Sequence, residues 1–151
     1  MMKNLFVSYT IAKQLKKLGF NEPSLMVYYD EGKGKAETGQ PKNKMYMPSG
    51  FGKVKNTDLR NFPKQGIYNE GQVTAPLYQQ VVDWFRDKHK IHIQSIYRKF
   101  GLKICDGWYY NFNDGRERGP SIFEHYNSYY DALNAGIEEA IRQLLIIKRH
   151  K

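Results

Sequence analysis

A single cysteine, Cys105, means that no disulfide can close within the chain, and a lone thiol fits a reducing compartment. Long apolar runs are missing as well. Near the N-terminus only Leu5, Phe6 and Val7 are consecutive apolar residues, fewer than the apolar region of a signal peptide needs. Nothing approaches the roughly 20 apolar residues that span a bilayer. Acids are scarce: 15 Asp and Glu stand against 24 Lys and Arg, for a net charge of +9. These shortages exclude a disulfide scaffold and a membrane span. They lead to the expectation of a soluble, cytoplasmic protein with no membrane partner.

Motifs that carry chemistry are also lacking. His89 and His92 are three apart but straddle a helix–strand junction, so they do not share a helical face. Cys105 has no neighbour at zinc-like spacing, and nothing in the sequence brings His125 beside it as a base. The carboxylates lie scattered among basic neighbours, with no pair set apart as acid and base. Gly32-Lys33-Gly34-Lys35 and Ser49-Gly50-Phe51-Gly52-Lys53 could point N–H groups at a phosphate. Neither has phosphate-loop spacing, and neither runs into a helix. The expectation is a protein that is not an enzyme, with no metal and no cofactor.

What the chain does hold is aromatic and basic. Aromatics make up 15% of the 151 residues, 12 of them tyrosine, which argues against disorder. The length suits one domain with a real core. Residues 1–30 carry +2, residues 31–72 carry +4, residues 73–100 carry +3, and the rest is neutral. The excess centres on a segment rich in Gly, Lys, Asn and Pro that keeps no sustained period. A field of this sign favours acidic partners without naming one.

Periodicity then places the elements. Ser8 caps a first helix whose Ile11, Ala12, Leu15 and Leu18 share a face, and Gly19-Phe20 ends it in left-handed fashion. Leu25 to Tyr29 reads as a strand, with Lys44 to Met47 as its hairpin partner. Thr74 and Pro76 suit the opening of a second helix, with Leu77, Val81, Trp84 and Phe85 inward. Ile91 to Tyr97 and Trp108 to Phe112 alternate as strands, and Ser121 to His125 is a candidate third. Ser128 to Asp131 resembles a capping box opening the last helix, with Leu133, Ile137, Ala140, Ile141, Leu144 and Ile147 as its buried stripe. In that helix Glu138 and Arg142 form an i,i+4 pair. The expected architecture is α+β: a small antiparallel sheet packed by two or three amphipathic helices, in the order α-β-(loop/hairpin)-α-β-β-(β)-α. It is read as one domain over 1–151 with a Gly/Lys-rich mobile insertion at about 31–73.

Helix, strands, helix in a basic chain invites comparison with the double-stranded-RNA-binding domain. There, lysines at the start of the second helix grip phosphate. Here that position is Ser128-Tyr129-Tyr130-Asp131, with Glu124 upstream, and an acid repels phosphate. A looser nucleic-acid reading stays open, with aromatics stacking bases while cations track the backbone. Its candidate residues are Lys33, Lys35, Lys42, Lys44, Lys53 and Lys55 in the basic segment, and Tyr97, Arg98, Lys99 and Tyr109 on the strands.

Several segments stand in a familiar order: Phe6-Val7-Ser8-Tyr9, AKQLKKLGF at 12–20, Asn21-Glu22-Pro23, Tyr28-Tyr29-Asp30, APLYQQVVDWFRDKHKIHI at 75–93, Gly107-Trp108-Tyr109-Tyr110 and YYDALNAGIEEAI at 129–141. In these the chain resembles a group of small, uncharacterised bacteriophage and prophage proteins often found in gut bacteria. The resemblance implies phage origin and the cytoplasm of a bacterial host, and it implies no activity or catalytic residue. The resulting reading is a non-enzymatic phage accessory protein that binds a host protein or a small anionic ligand, in host defence or takeover. The alternatives are sequence-tolerant nucleic-acid binding and a virion-associated structural role. The oligomeric state is open, with a homo-oligomer among the alternatives.

Overall fold

The computed structural model describes residues 5–30, 43–48, 52–61, 72–99, 106–115 and 125–149. The fold is α+β, with three α-helices and small antiparallel sheets among the described residues. The chain divides into two compact units, Met2–Leu77 and Tyr78–Lys151, and each is described by itself.

In the first unit, helix α1 (Tyr9–Leu18) begins where the Ser8 side chain accepts the Ile11 N–H at 3.3 Å. It ends at Gly19, whose φ of 97° suits a residue without a Cβ. Phe20 N–H closes the cap on the Leu15 carbonyl at 2.9 Å. Strand β1 (Met26–Asp30) is central to a three-stranded sheet, with β2 (Asn43–Tyr46) on one side and β3 (Val73–Ala75) on the other. Both pairings are antiparallel: Tyr28 faces Met45 and Val73. Ile11, Leu15, Phe20, Val27, Val54 and Val73 are all buried.

Strand β3 corrects the expected helix start. Thr74 is not a helix cap. It lies in an extended, fully buried strand, and Pro76 offers its carbonyl to Val7 N–H at 3.1 Å. The reason is local: Val73 and Thr74 are β-branched, and a following proline disfavours the helical region for Ala75.

Two pieces of the expected mobile insertion are built into this unit. One is β2. The other spans 54–58, where Ser24 and Val54 exchange backbone bonds at 2.8 Å. The Asn56 amide donates to the Phe20 carbonyl at 2.9 Å and accepts the Thr74 N–H at 3.0 Å. Thr57 and Asn21 also bond reciprocally. A short 3-10 helix at Asp58–Asn61 follows, and Leu59 packs with Val27 and Val54.

In the second unit, helix α2 (Tyr78–His89) buries Val81, Trp84 and Phe85. It ends with Lys90 at φ 58°, a left-handed conformation in a residue with a side chain. Ile91 N–H reaches back to the Phe85 carbonyl at 3.1 Å, the pattern of a helix end that ordinarily carries glycine. Substituting Lys90→Gly is therefore expected to stabilise by about 0.5–1 kcal/mol. The left-handed penalty of roughly 1–2 kcal/mol is relieved and partly offset by glycine's greater chain entropy. Urea unfolding would measure it, and a variant less stable than the parent would sink the idea.

Strands β4 (His92–Arg98) and β5 (Gly107–Asn113) form an antiparallel pair, and α3 (Tyr129–Arg149) lies across both. The N-cap half of the expected capping box is present: Asp131 N–H donates to Ser128 Oγ at 3.1 Å, and the Asp131 carboxylate accepts from that hydroxyl at 2.7 Å. Two expectations are corrected here. Arg142 pairs with Glu139 at 2.6 Å, one position nearer than Glu138. Ile147 is 42% exposed, because the buried stripe ends before the helix does. Of the candidate third strand, 121–124 lie outside the described residues, while Tyr126 makes an isolated bridge to Trp108.

Candidate binding surface

The feature that stands out in the second unit is a row of rings. Tyr97 and Trp108 are cross-strand partners in the β4–β5 register, and their rings meet edge to face at 5.4 Å. Trp108 meets Tyr129, the first residue of α3, at 5.4 Å and 89°. Tyr129 meets Tyr130 at 5.2 Å and 90°, and Tyr130 meets Tyr78 of α2 at 5.4 Å. Tyr97, Tyr129 and Tyr130 are exposed, and Trp108 and Tyr78 are half-buried. Each contact fixes a ring that would otherwise lose rotamer freedom on binding, so the row is organised in advance.

Electrostatics differ between its ends. Arg98 and Lys99 adjoin Tyr97 in the chain. At the other end the Tyr78 hydroxyl donates to Asn134 at 3.1 Å. Burial raises the Tyr78 pKa, and the negative charges of Asp131 and Glu138 raise it further. An anionic polymer lying along the row would meet those acids.

Beside the row lies a cavity of about 470 Å³, lined by α2 (Gln79, Val82, Arg86), β4 from His92 to Ile96, and Tyr129 and Leu133 of α3. Ser95 Oγ is buried there without a hydrogen-bond partner. Arg86 is held by Asp83 at 2.8 Å and Asp87 at 3.3 Å, so two carboxylates already offset its charge. None of the expected binding lysines among the described residues lines this cavity.

The residues singled out from sequence are dispersed. Lys33, Lys35 and Lys42 lie outside the described residues. Lys44, on β2, and Lys53 and Lys55 are exposed in the first unit. In the second unit Tyr97 and Lys99 are exposed and Arg98 is half-buried. Tyr109 is corrected: it is 2% exposed and packs against His125 at 6.3 Å. It occupies the opposite face of β5 from Trp108 and cannot stack a ligand.

Sequence reasoning passed over Tyr78, Tyr129 and Tyr130. The signal was available at 129–130: adjacent residues on a helix point about 100° apart, so a narrow apolar face cannot take both rings.

Cys105 lies outside the described residues. His89 packs on Trp84 at 4.5 Å, and its pKa is lowered by burial and by the charge of Lys148. Among the described residues no group of three or more His, Cys, Asp or Glu could hold a metal ion. No helix among them is long and apolar enough to cross a membrane. Comparison of the chain with family models, with curated proteins and with solved structures finds no match.

Proposed function

We propose that this chain is a non-enzymatic accessory protein of phage or prophage origin, and that it works by binding a host protein through the Tyr97–Trp108–Tyr129–Tyr130–Tyr78 row. The observation that carries the reading is the row itself: four successive ring contacts between 5.2 and 5.4 Å, with three rings open to solvent. Rigid tyrosine and tryptophan surfaces are the usual anchors of protein interfaces. The acids at one end and bases at the other suit a partner of mixed charge better than a uniform polyanion.

The runner-up, nucleic-acid binding, draws on the adjacency of Tyr97, Arg98 and Lys99 at the end of β4. The small-anion reading is weaker, since the cavity's arginine is already paired.

The test is affinity purification from lysate of a bacterial host, with and without nuclease. Wild type is compared with the Tyr97→Ala/Tyr129→Ala double variant. The expected result is a protein partner that survives nuclease and whose affinity falls at least about tenfold in the variant, as loss of interface hot spots does. Far-UV circular dichroism of the variant should match wild type, since both side chains are exposed. Release of all bound material by nuclease would hand the surface to nucleic acid. A partner held equally well by the variant would remove the row from the interface.

A further inference from the structure

The outer face of α3 is a charged and apolar stripe complementary to itself, and we propose that it seats a second copy of this chain, packed antiparallel about a two-fold axis near Ala140. At 100° per residue, Asp131, Ala135, Glu138, Arg142 and Leu145 fall within an arc of about 80°. The residues of the opposite arc, Ala132, Leu133, Ile137, Ala140 and Ile141, are buried in the chain's own core. Leu145 and Ile146 are 37% and 38% exposed on the outer face, so more than a third of each large aliphatic group is open to solvent.

The stripe is ordered by charge. Its acids lie toward the helix start and its bases toward the end. Turned antiparallel on itself about residue 140, the helix brings Glu138 opposite the second copy's Arg142, and its own Arg142 opposite the second copy's Glu138. The same register sets Ala135 against the second copy's Leu145, a small residue facing a large one, and Asn134 against its Ile146. Asp131 falls opposite position 149 of the second copy, an arginine in the sequence. One rotation repeats every facing pair twice, as an isologous interface requires. Arg142 gives two of its five N–H donors to Glu139, at 2.6 and 2.8 Å, which offsets part of its charge and leaves the other three donors for the second copy's Glu138. Glu138 accepts one hydrogen bond, from Asn134, and as a carboxylate has room to accept more. A parallel pairing would set like charges together. An anionic surface would be repelled by Asp131 and Glu138 while it attracted the helix end. The second copy is the occupant that uses the whole stripe. Such a dimer would carry two aromatic rows; with Asp131 and Glu138 taken by the second copy, the Tyr97–Trp108–Tyr129 end of each row is left for the host partner, and the surface proposed above would act bivalently.

The test uses the full chain in sedimentation equilibrium. Wild type is expected to dimerise reversibly in the micromolar range, and Leu145→Glu to weaken dimerisation by at least about tenfold. Glu138→Arg alone and Arg142→Glu alone should each be monomeric where wild type is dimeric, because each homodimer faces like charges twice. Mixed together, the two single variants should form a heterodimer, since every facing pair is then opposite in sign. Circular dichroism of each variant confirms that the helix is intact. A wild-type chain that stays monomeric at all concentrations overturns the proposal, as does a dimer indifferent to these substitutions or a mixture no stronger than its components. Monomers that co-sediment with phosphatidylglycerol vesicles and not with phosphatidylcholine vesicles would also overturn it, giving the face to a membrane surface. None of these outcomes touches the Tyr97/Tyr129 experiment, so the two readings fail separately.

Discussion

Replacing Asn56 by alanine is expected to destabilise the first unit by about 3 kcal/mol, a large effect for a residue in an irregular segment. Asn56 is 7% exposed, and its amide joins three stretches of chain. It donates to the carbonyl of Phe20, just past the end of α1, and accepts from the N–H of Thr74 in β3. Phe20 and Thr74 are 1% and 0% exposed, so water cannot readily replace either bond. Each orphaned buried group costs roughly 1–3 kcal/mol, against a total stability of about 5–15 kcal/mol for a typical domain.

Asn56→Asp makes the sharper experiment. It keeps the acceptor for Thr74 but turns a carboxylate oxygen toward the Phe20 carbonyl. Burial and that repulsion raise the folded-state pKa of the introduced acid above its unfolded value of about 3.9. Stability is then retained at low pH, where the acid is protonated and can donate to Phe20. It is lost as pH rises through the window between the two values. Urea unfolding from pH 4 to 8 would show the variant losing stability relative to wild type toward pH 8. A flat difference, or a loss under about 1 kcal/mol for Asn56→Ala, would mean that the amide is not the latch.

The same residue shows where sequence reading stops. Helices α1, α2 and α3 were legible because an apolar residue every three or four positions reports burial directly. The Ser8 and Ser128 caps and the Gly19 turn were legible because they act within a few residues of themselves. The β1–β2 pairing could be read from two short apolar stretches flanking glycines. Asn56 acts on residues 36 and 18 positions away, and a lone Asn between Lys55 and Thr57 looks like any loop residue. Strand β3 was misread for a related reason. Thr-Ala-Pro is a good helix opening in isolation, and only the β1 edge beside it selects the extended form.

The binding surface divides the same way. Each aromatic of the row was visible as a residue. Their order in space was not, because Trp108 and Tyr129 meet only once α3 lies across β5. Lysine content gave a reason to look at 31–72. Charge reports a field rather than a site, however, and the lysines among the described residues do not converge on the cavity.

Gly136 is the position in α3 where a methyl group should do the most harm. A Cβ built there would lie 2.7 Å from Ile93 Cγ2 and 3.2 Å from Tyr110 Cβ. Two effects of Gly136→Ala oppose one another. Helix propensity favours alanine by about 1 kcal/mol. Against it, overpacking a filled core costs about 1–3 kcal/mol. The relaxation needed here is difficult: Ile93 is β-branched, stiff about χ1 and 3% exposed. Tyr110 would be met near its backbone, and the strands carrying both are hydrogen-bonded together. Alanine is therefore expected to lose about 1 kcal/mol net. Valine, which adds two more methyls and no propensity gain, should lose about 3 kcal/mol or more. A double-mutant cycle separates the two effects. Ile93→Ala removes the Cγ2 that alanine would strike, at its own cost of about 2–5 kcal/mol for the cavity. In that background Gly136→Ala should become stabilising, because the propensity gain survives and the clash does not. A coupling energy of at least about 1 kcal/mol follows. If Gly136→Ala proves as stable as wild type in the Ile93 background, helix and sheet can part at little cost, and the close approach of α3 to β4 and β5 is not what orders this unit.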